Sequence, residues 1–105
     1  MRKEIITYKT TCTEGSDLRH YLKERRFNDL KTAIEYVEKC WEKFKPEYLR
    51  EEKRKIIHEY IHTDRILNDY THQIVTTWDD GYSKILTIRV IKSRNYIYDS
   101  IEDIK

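Results

Sequence analysis

Two histidines and a glutamate in the middle of the chain have the types and spacing that could hold a catalytic metal ion. The segment His58-Glu59-Tyr60-Ile61-His62 reads H-E-x-x-H. On an α-helix, residues i and i+4 lie on one face, so both imidazoles could bind one Zn²⁺ while the glutamate acts as a base on a metal-bound water. Asp69 and His72 are the nearest downstream candidates for a third ligand. The pattern therefore predicts a zinc-dependent hydrolase if residues 56–62 are helical.

Over these five residues the chain resembles the zincin metallopeptidases. The resemblance implies that the two histidines are ligands and that Glu59 is the general base. The neighbouring residues depart from the family pattern. Asp64 stands two residues past the second histidine, where the family usually has an apolar residue, and Arg65 and Asn68 replace the glycine and histidine of the extended metzincin form. We therefore expect packed or solvated histidines here, and no cofactor.

The other groups that could do chemistry lack suitable neighbours. Cys12 and Cys40 are isolated from each other in the sequence, which is typical of free thiols in a reducing compartment. With only Gly15 and Gly81, the chain has no glycine-rich loop for a phosphate. The sequence also shows no signal peptide and no run of about 18 apolar residues that could span a membrane. These features predict a cytoplasmic protein and disfavour an enzyme that acts on nucleotides.

Basic residues form two groups that could contact a phosphate backbone. The formal net charge is only +2, so the case for nucleic acid depends on this clustering. Acidic residues interrupt both groups, which favours solvated surfaces, and nucleic-acid binding is kept as an alternative. The groups are Arg19, Lys23, Arg25 and Arg26, and Arg50, Lys53, Arg54 and Lys55.

The elements that must position these residues begin with a strand and a long helix. Residues 4–12 are rich in β-branched and aromatic types, which favours a strand. A short helix is expected after Ser16, and a long one after Asn28 or Asp29. Pro46 is expected to end the long helix or to open the next one. The apolar stripe of the long helix is Leu30, Ala33, Ile34, Val37, Trp41 and Phe44.

The second half of the chain combines an ambiguous segment with a hairpin. Residues 47–68 favour a helix, although a strand over 56–62 remains open because short apolar runs have no decisive period. Residues 72–78 and 82–92 flank Asp79-Asp80-Gly81, which predicts a β-hairpin. A short helix is expected at the end of the chain, with an apolar face of Ile97, Ile101 and Ile104. The predicted fold is a single α+β domain over 1–105, with a small antiparallel sheet covered on one face by two or three helices.

Nine tyrosines in 105 residues are more than so small a core can hide. Tyrosine is enriched at protein interfaces because it buries a large area at a small entropy cost. We therefore predict a non-enzymatic module that binds a protein partner, with self-association left open. A single alanine, with abundant Ile, Lys and Tyr, indicates an AT-rich genome. It favours a phage or mobile-element accessory protein that binds or inhibits a host or defence factor. The predicted contact residues are Tyr21, Arg25, Arg26, Tyr48, Arg54, Tyr60, Tyr96 and Tyr98.

Overall fold

An antiparallel sheet with one long helix on one face forms the fold. The computed structural model describes residues 2–15, 17–18, 22–51 and 53–98, without the side chains of residues 17, 18, 51 and 98. The strands run in the order β2-β1-β6-β5-β4, and β3 pairs with β1 beside β2. The elements are β1 (Arg2–Glu14), β2 (Asp17–Leu18), β3 (Arg26–Phe27), α1 (Leu30–Glu51), β4 (Lys55–Asp64), β5 (Asp69–Thr77) and β6 (Ser83–Tyr98).

The long helix α1 confirms the prediction that was made from the spacing of its apolar residues. Asp29 caps its first turn, because Oδ1 accepts a hydrogen bond from the backbone N–H of Thr32 at 2.8 Å and Oδ2 accepts one from the Thr32 hydroxyl at 2.8 Å. The expectation that Pro46 ends the helix is wrong, since Pro46 lies inside it. Phe44 and Tyr48 are buried on either side of the proline, so core packing offsets the missing backbone donor.

The sheet presents alternate residues to α1. Along β5 the buried and half-buried residues alternate without a break, as expected for a strand with one covered face. The rows of the covered face follow the strand register, for example Cys12 opposite Ile88 and Ile88 opposite His72. The buried hydrophobic side chains of sheet and helix form one cluster that comprises Cys12, Leu22, Ala33, Val37, Trp41, Phe44, Tyr48, Tyr70, Ile74, Leu86, Ile88 and Val90.

The predicted cover of two or three helices is wrong. Within the described ranges α1 is the only helix, and residues 55–64 form strand β4 instead of a helix. The charged run before β4 cannot supply a buried helical face, whereas β4 pairs with β5 along its length, with one register shift between Ile56 and His58. Asp17 and Leu18 pair with β1 rather than starting a helix. Ile97 lies in β6, and the other residues of the predicted terminal helix fall outside the described part of the chain.

Two tight turns connect β4, β5 and β6. The predicted Asp-Gly hairpin joins β5 to β6 and is confirmed, with Gly81 at a φ of +89°. The β4–β5 turn is shaped by Asp64, whose Oδ1 accepts the backbone N–H groups of Ile66 and Leu67 at 2.9 and 3.0 Å. Asn68 completes this turn at a φ of +53°, a conformation that asparagine tolerates better than most residues.

Candidate functional site

The H-E-x-x-H segment lies on a strand, not on a helix. His58 and His62 both belong to β4, four residues apart. At about 3.3 Å per residue, their Cα atoms are about 13 Å apart, whereas two histidines on one Zn²⁺ must each bring a nitrogen to about 2.1 Å from it. The helical geometry that the zinc hypothesis requires is therefore not formed. Among the described residues, no group of three His, Cys, Asp or Glu side chains is arranged to hold a metal ion.

The predicted third-ligand candidate His72 is instead part of a buried polar cluster beneath α1. Its Nδ1 lies 3.0 Å from Glu38 Oε1, and the same carboxylate accepts a hydrogen bond from the Tyr70 hydroxyl. Its Nε2 is buried without a hydrogen-bond partner in the described structure, and Glu59 Oε1 is 3.9 Å away. Because Nε2 is shielded from solvent, no substrate atom can reach it in this conformation.

The electrostatics of this cluster favour an ionised Glu38 and a neutral Tyr70. Burial raises the pKa of Glu38, but the hydrogen bonds from His72 and Tyr70 outweigh burial, so the net pKa lies below the ordinary value. Burial, followed by the hydrogen bond to Glu38, raises the pKa of Tyr70. The cluster therefore ties the middle of α1 to β5 as a structural contact.

A second buried polar cluster joins the end of α1 to the sheet. The side chains of Glu14 and Arg54 are both fully buried, and Arg54 Nη1 is 2.6 Å from Glu14 Oε2. The Tyr48 hydroxyl donates to Glu14 Oε2 at 2.5 Å and also contacts Arg54 Nη1. The Arg54 guanidinium stacks 4.3 Å from the centre of the Trp78 ring. Burial, and then the hydrogen bond to Glu14, raises the pKa of Tyr48 to about 12.

The most exposed apolar region of the described chain is the outer edge of the sheet. Strand β4 ends the strand order, and its outer side pairs with no other described strand. Nearly all of its residues are exposed, because the helix packs over the other strands. We define the β4 edge surface as the large exposed apolar side chains of this strand: Ile57 (58% exposed), Tyr60 (47%) and Ile61 (57%). Ile66 and Leu67 in the following turn are also exposed, but they line a pocket with Asp69, Lys92 and Arg94.

The predicted contact residues divide into surface and core. Tyr60 and Tyr96 are exposed, as are Arg25 and Arg26, so their contact role stays a prediction. Tyr48 and Arg54, in contrast, are buried in the cluster with Glu14 and do not lie at the surface in this conformation. The structure does not describe Tyr21 or the side chain of Tyr98.

The second basic group does not form one cationic surface. Arg54 points into the core, where its charge is paired, while Lys53 and Lys55 are exposed. In the first group, Lys23 and the arginines at 25 and 26 are exposed, and the position of residue 19 is not described. Nucleic-acid binding gains no support from this arrangement and stays a prediction. Cys12 is buried, and Cys40 is half-buried.

Sequence reasoning missed the β4 edge surface because it favoured a helix over 47–68. One signal could have corrected this. Asp64 and Asn68 enclose three residues, a spacing typical of a hairpin turn that begins with an Asx hydrogen bond and ends in a left-handed residue. Recognition of that turn would have predicted that residues 55–64 pair with the following strand.

Comparison of the chain with family models, with curated proteins and with solved structures finds no match. In the described part of the chain, no helix has the length and apolar content needed to traverse a lipid bilayer. The site must therefore be interpreted from its own geometry.

Proposed function

We propose that this protein is a non-enzymatic protein-interaction module and that the β4 edge surface is its binding site. One observation carries the proposal: a ten-residue edge strand bears exposed isoleucines and a tyrosine and is left uncovered by the helix. The exposed apolar side chains of β4 lie along one edge, with Ile61 on the helix-covered face and Tyr60 on the opposite face, so a strand added to this edge would cover both. An edge strand also offers a row of backbone donors and acceptors to an incoming strand.

The composition of β4 supports this role. Proteins commonly protect an exposed edge strand with lysine, proline or a short length. From residue 56 to residue 64, β4 contains no lysine, arginine or proline. The far ends of β1 and β6 form a two-stranded ribbon with two further edges, and these carry Arg2 and Lys3 on β1 and Lys92 and Arg94 on β6. Basic side chains therefore protect the ribbon, whereas the protection of β4 is confined to the bulge between Ile56 and His58 and to a few charged residues.

The partner's identity stays a prediction. A cytoplasmic location, and a phage accessory protein that inhibits a host or defence factor, are the finer versions that composition suggested. The capture experiment below tests whether the partner is a host or defence factor.

A matched pair of lysine substitutions tests the surface. Ile61→Lys places a charge in the β4 edge surface, whereas Tyr82→Lys places one in the β5–β6 turn, where the wild-type side chain is also exposed (73% against 57% for Ile61). Tagged wild-type and variant proteins are used to capture partners from cells of the natural host. We expect a captured protein to be lost with Ile61→Lys and retained with Tyr82→Lys. Equal capture by all three proteins would refute the assignment of the binding site to β4.

A further inference from the structure

The regular part of β4 is symmetric about one residue. The ladder between β4 and β5 shifts register between Ile56 and His58 and then runs unbroken from His58 to Asp64. The bulge interrupts the strand on one side, and the Asp64 turn ends it on the other. The uninterrupted run is seven residues long, and its midpoint is Ile61. An antiparallel partner strand that used the whole run would therefore be centred on Ile61.

From this symmetry we propose that β4 pairs with β4 of a second copy of this chain, antiparallel and with Ile61 opposite Ile61. This inference rests on the proposed function, since it names the occupant of the same surface. The two sheets would join into one continuous sheet, with both helices on the same face. The dimer would have two-fold symmetry, as closed homodimers do.

Every cross-strand pair in this register is complementary. On the face away from α1, Tyr60 lies opposite His62 of the second copy, a ring contact of the kind these two residues already make within one strand at 6.0 Å between ring centroids. On the same face, His58 lies opposite Asp64. Hydrogen bonds from the backbone of Leu67 and Ile66 lower the pKa of Asp64, so this carboxylate is ionised opposite the imidazole. Opposite partial or full charges directly across a sheet are stabilising.

On the helix-covered face, the same register extends the core. Ile61 continues the row of Cys12, Ile88 and His72, but it is 57% exposed because β4 has no outer neighbour. A second Ile61 would cover it with an apolar side chain. Glu59 would lie opposite Thr63, so that no two carboxylates meet.

Neighbouring registers are less favourable. Residues that face each other across an antiparallel pair lie on the same side of the sheet. A shifted register must therefore again place residues of the same face opposite each other. The next register toward the bulge puts Tyr60 opposite Tyr60, Glu59 opposite Ile61 and His58 opposite His62. It buries a carboxylate against isoleucine and places two imidazoles together. The next register toward the turn shortens the pairing by two residues.

Sedimentation and cysteine cross-linking test the inference. For wild type, we expect a reversible monomer–dimer equilibrium between about 10 μM and about 1 mM, as for a small interface. Ile61→Lys should raise the dissociation constant at least about tenfold, because like charges would lie directly opposite. Tyr82→Lys should leave the dissociation constant unchanged. A wild-type monomer throughout this range, or a dimer unaffected by Ile61→Lys, would overturn the inference.

Cross-linking reads out the register itself. In a Cys40→Ala background, diamide oxidises two thiols to a disulfide only where the Cα atoms approach within about 7 Å. Ile61→Cys should form covalent dimers rapidly. Tyr60→Cys should not, because each residue 60 lies two residues from its copy along the strand direction. Efficient cross-linking of Tyr60→Cys and not of Ile61→Cys would refute the Ile61 register.

The two proposals can fail separately. A monomeric wild-type protein that still loses a captured host protein upon Ile61→Lys would overturn the second-copy inference and support the proposed function. A dimer that depends on Ile61, with no other captured protein affected, would support self-association as the sole use of β4.

Discussion

The buried ion pair of Glu14 and Arg54 should dominate the response of this fold to single substitutions. Both side chains are fully buried, and two nitrogen–oxygen contacts of 2.6 and 3.2 Å join them. Removal of one partner leaves the other charge in a low-dielectric interior, where the cost is about 3–5 kcal/mol. Arg54→Met should therefore lower the free energy of unfolding by about that amount, a large part of the 5–15 kcal/mol that is typical of a domain.

Replacement of Glu14, Tyr48 and Arg54 together should lower the free energy of unfolding much less than replacement of Arg54 alone. In the triple variant Glu14→Leu, Tyr48→Phe, Arg54→Met, both buried charges and the Tyr48 hydroxyl are removed together, and side-chain volume is largely kept. Lys84, whose Nζ lies 3.6 Å from Glu14 Oε1, is half-exposed and stays solvated. Buried ion pairs replaced by apolar side chains of similar volume are often neutral or stabilising. We expect the triple variant to lie within about 1 kcal/mol of the wild-type protein.

Urea denaturation followed by tryptophan fluorescence measures both variants. Trp41 is buried in the core, and Trp78 stacks on Arg54, so the signal reports on the cluster and on the core together. With a slope of about 1.5 kcal/mol per molar urea, Arg54→Met should shift the midpoint down by about 2–3 M. A shift below about 0.5 M, or a triple variant as unstable as Arg54→Met, would refute the reasoning.

Three further predictions follow from individual contacts. Ile88→Ala, at a fully buried position, should lower the free energy of unfolding by about 2–5 kcal/mol. Ile85→Ala, on the exposed face of the same strand, should lower it by less than about 1 kcal/mol. Equal losses of stability in urea denaturation would contradict a core on only one face of the sheet. The folded-state pKa of Glu38 is below its ordinary value of 4.5, so its stabilising contribution is present above that value and is lost as the pH falls through the folded pKa. Between pH 7 and pH 3, the urea midpoint should therefore fall more for wild type than for Glu38→Gln. An equal fall in both proteins would exclude this contribution of Glu38. Lys53 follows α1 at a φ of +51°. Because glycine adopts this conformation without a steric cost, Lys53→Gly should raise the free energy of unfolding by up to about 1 kcal/mol. A lower urea midpoint than that of wild type would contradict the left-handed conformation of residue 53.

The sequence by itself determined the elements whose signals are local. The apolar stripe from Leu30 to Phe44 has a helical period that no strand could use, and α1 follows it. The β-branched run of β1 and the Asp-Gly turn before β6 were also sufficient, because strand preference and turn chemistry depend on neighbouring residues. Asp29 was one of two expected caps, and its side chain makes the capping hydrogen bonds.

Tertiary structure alone decided the state of residues 55–64 and the fate of the charged residues. The same pattern of Ile, His and Tyr fits a helix or a strand, and the available ladder of β5 selected the strand. That choice separated His58 from His62 and left Ile61 at an open edge. Burial of Arg54 could not be predicted from a run of charges, because it depends on Glu14, which is 40 residues away in sequence and reaches it only across the assembled sheet. Local preference determines an element when its apolar pattern is long and has one clear period. Long-range pairing determines the elements whose pattern fits both a helix and a strand.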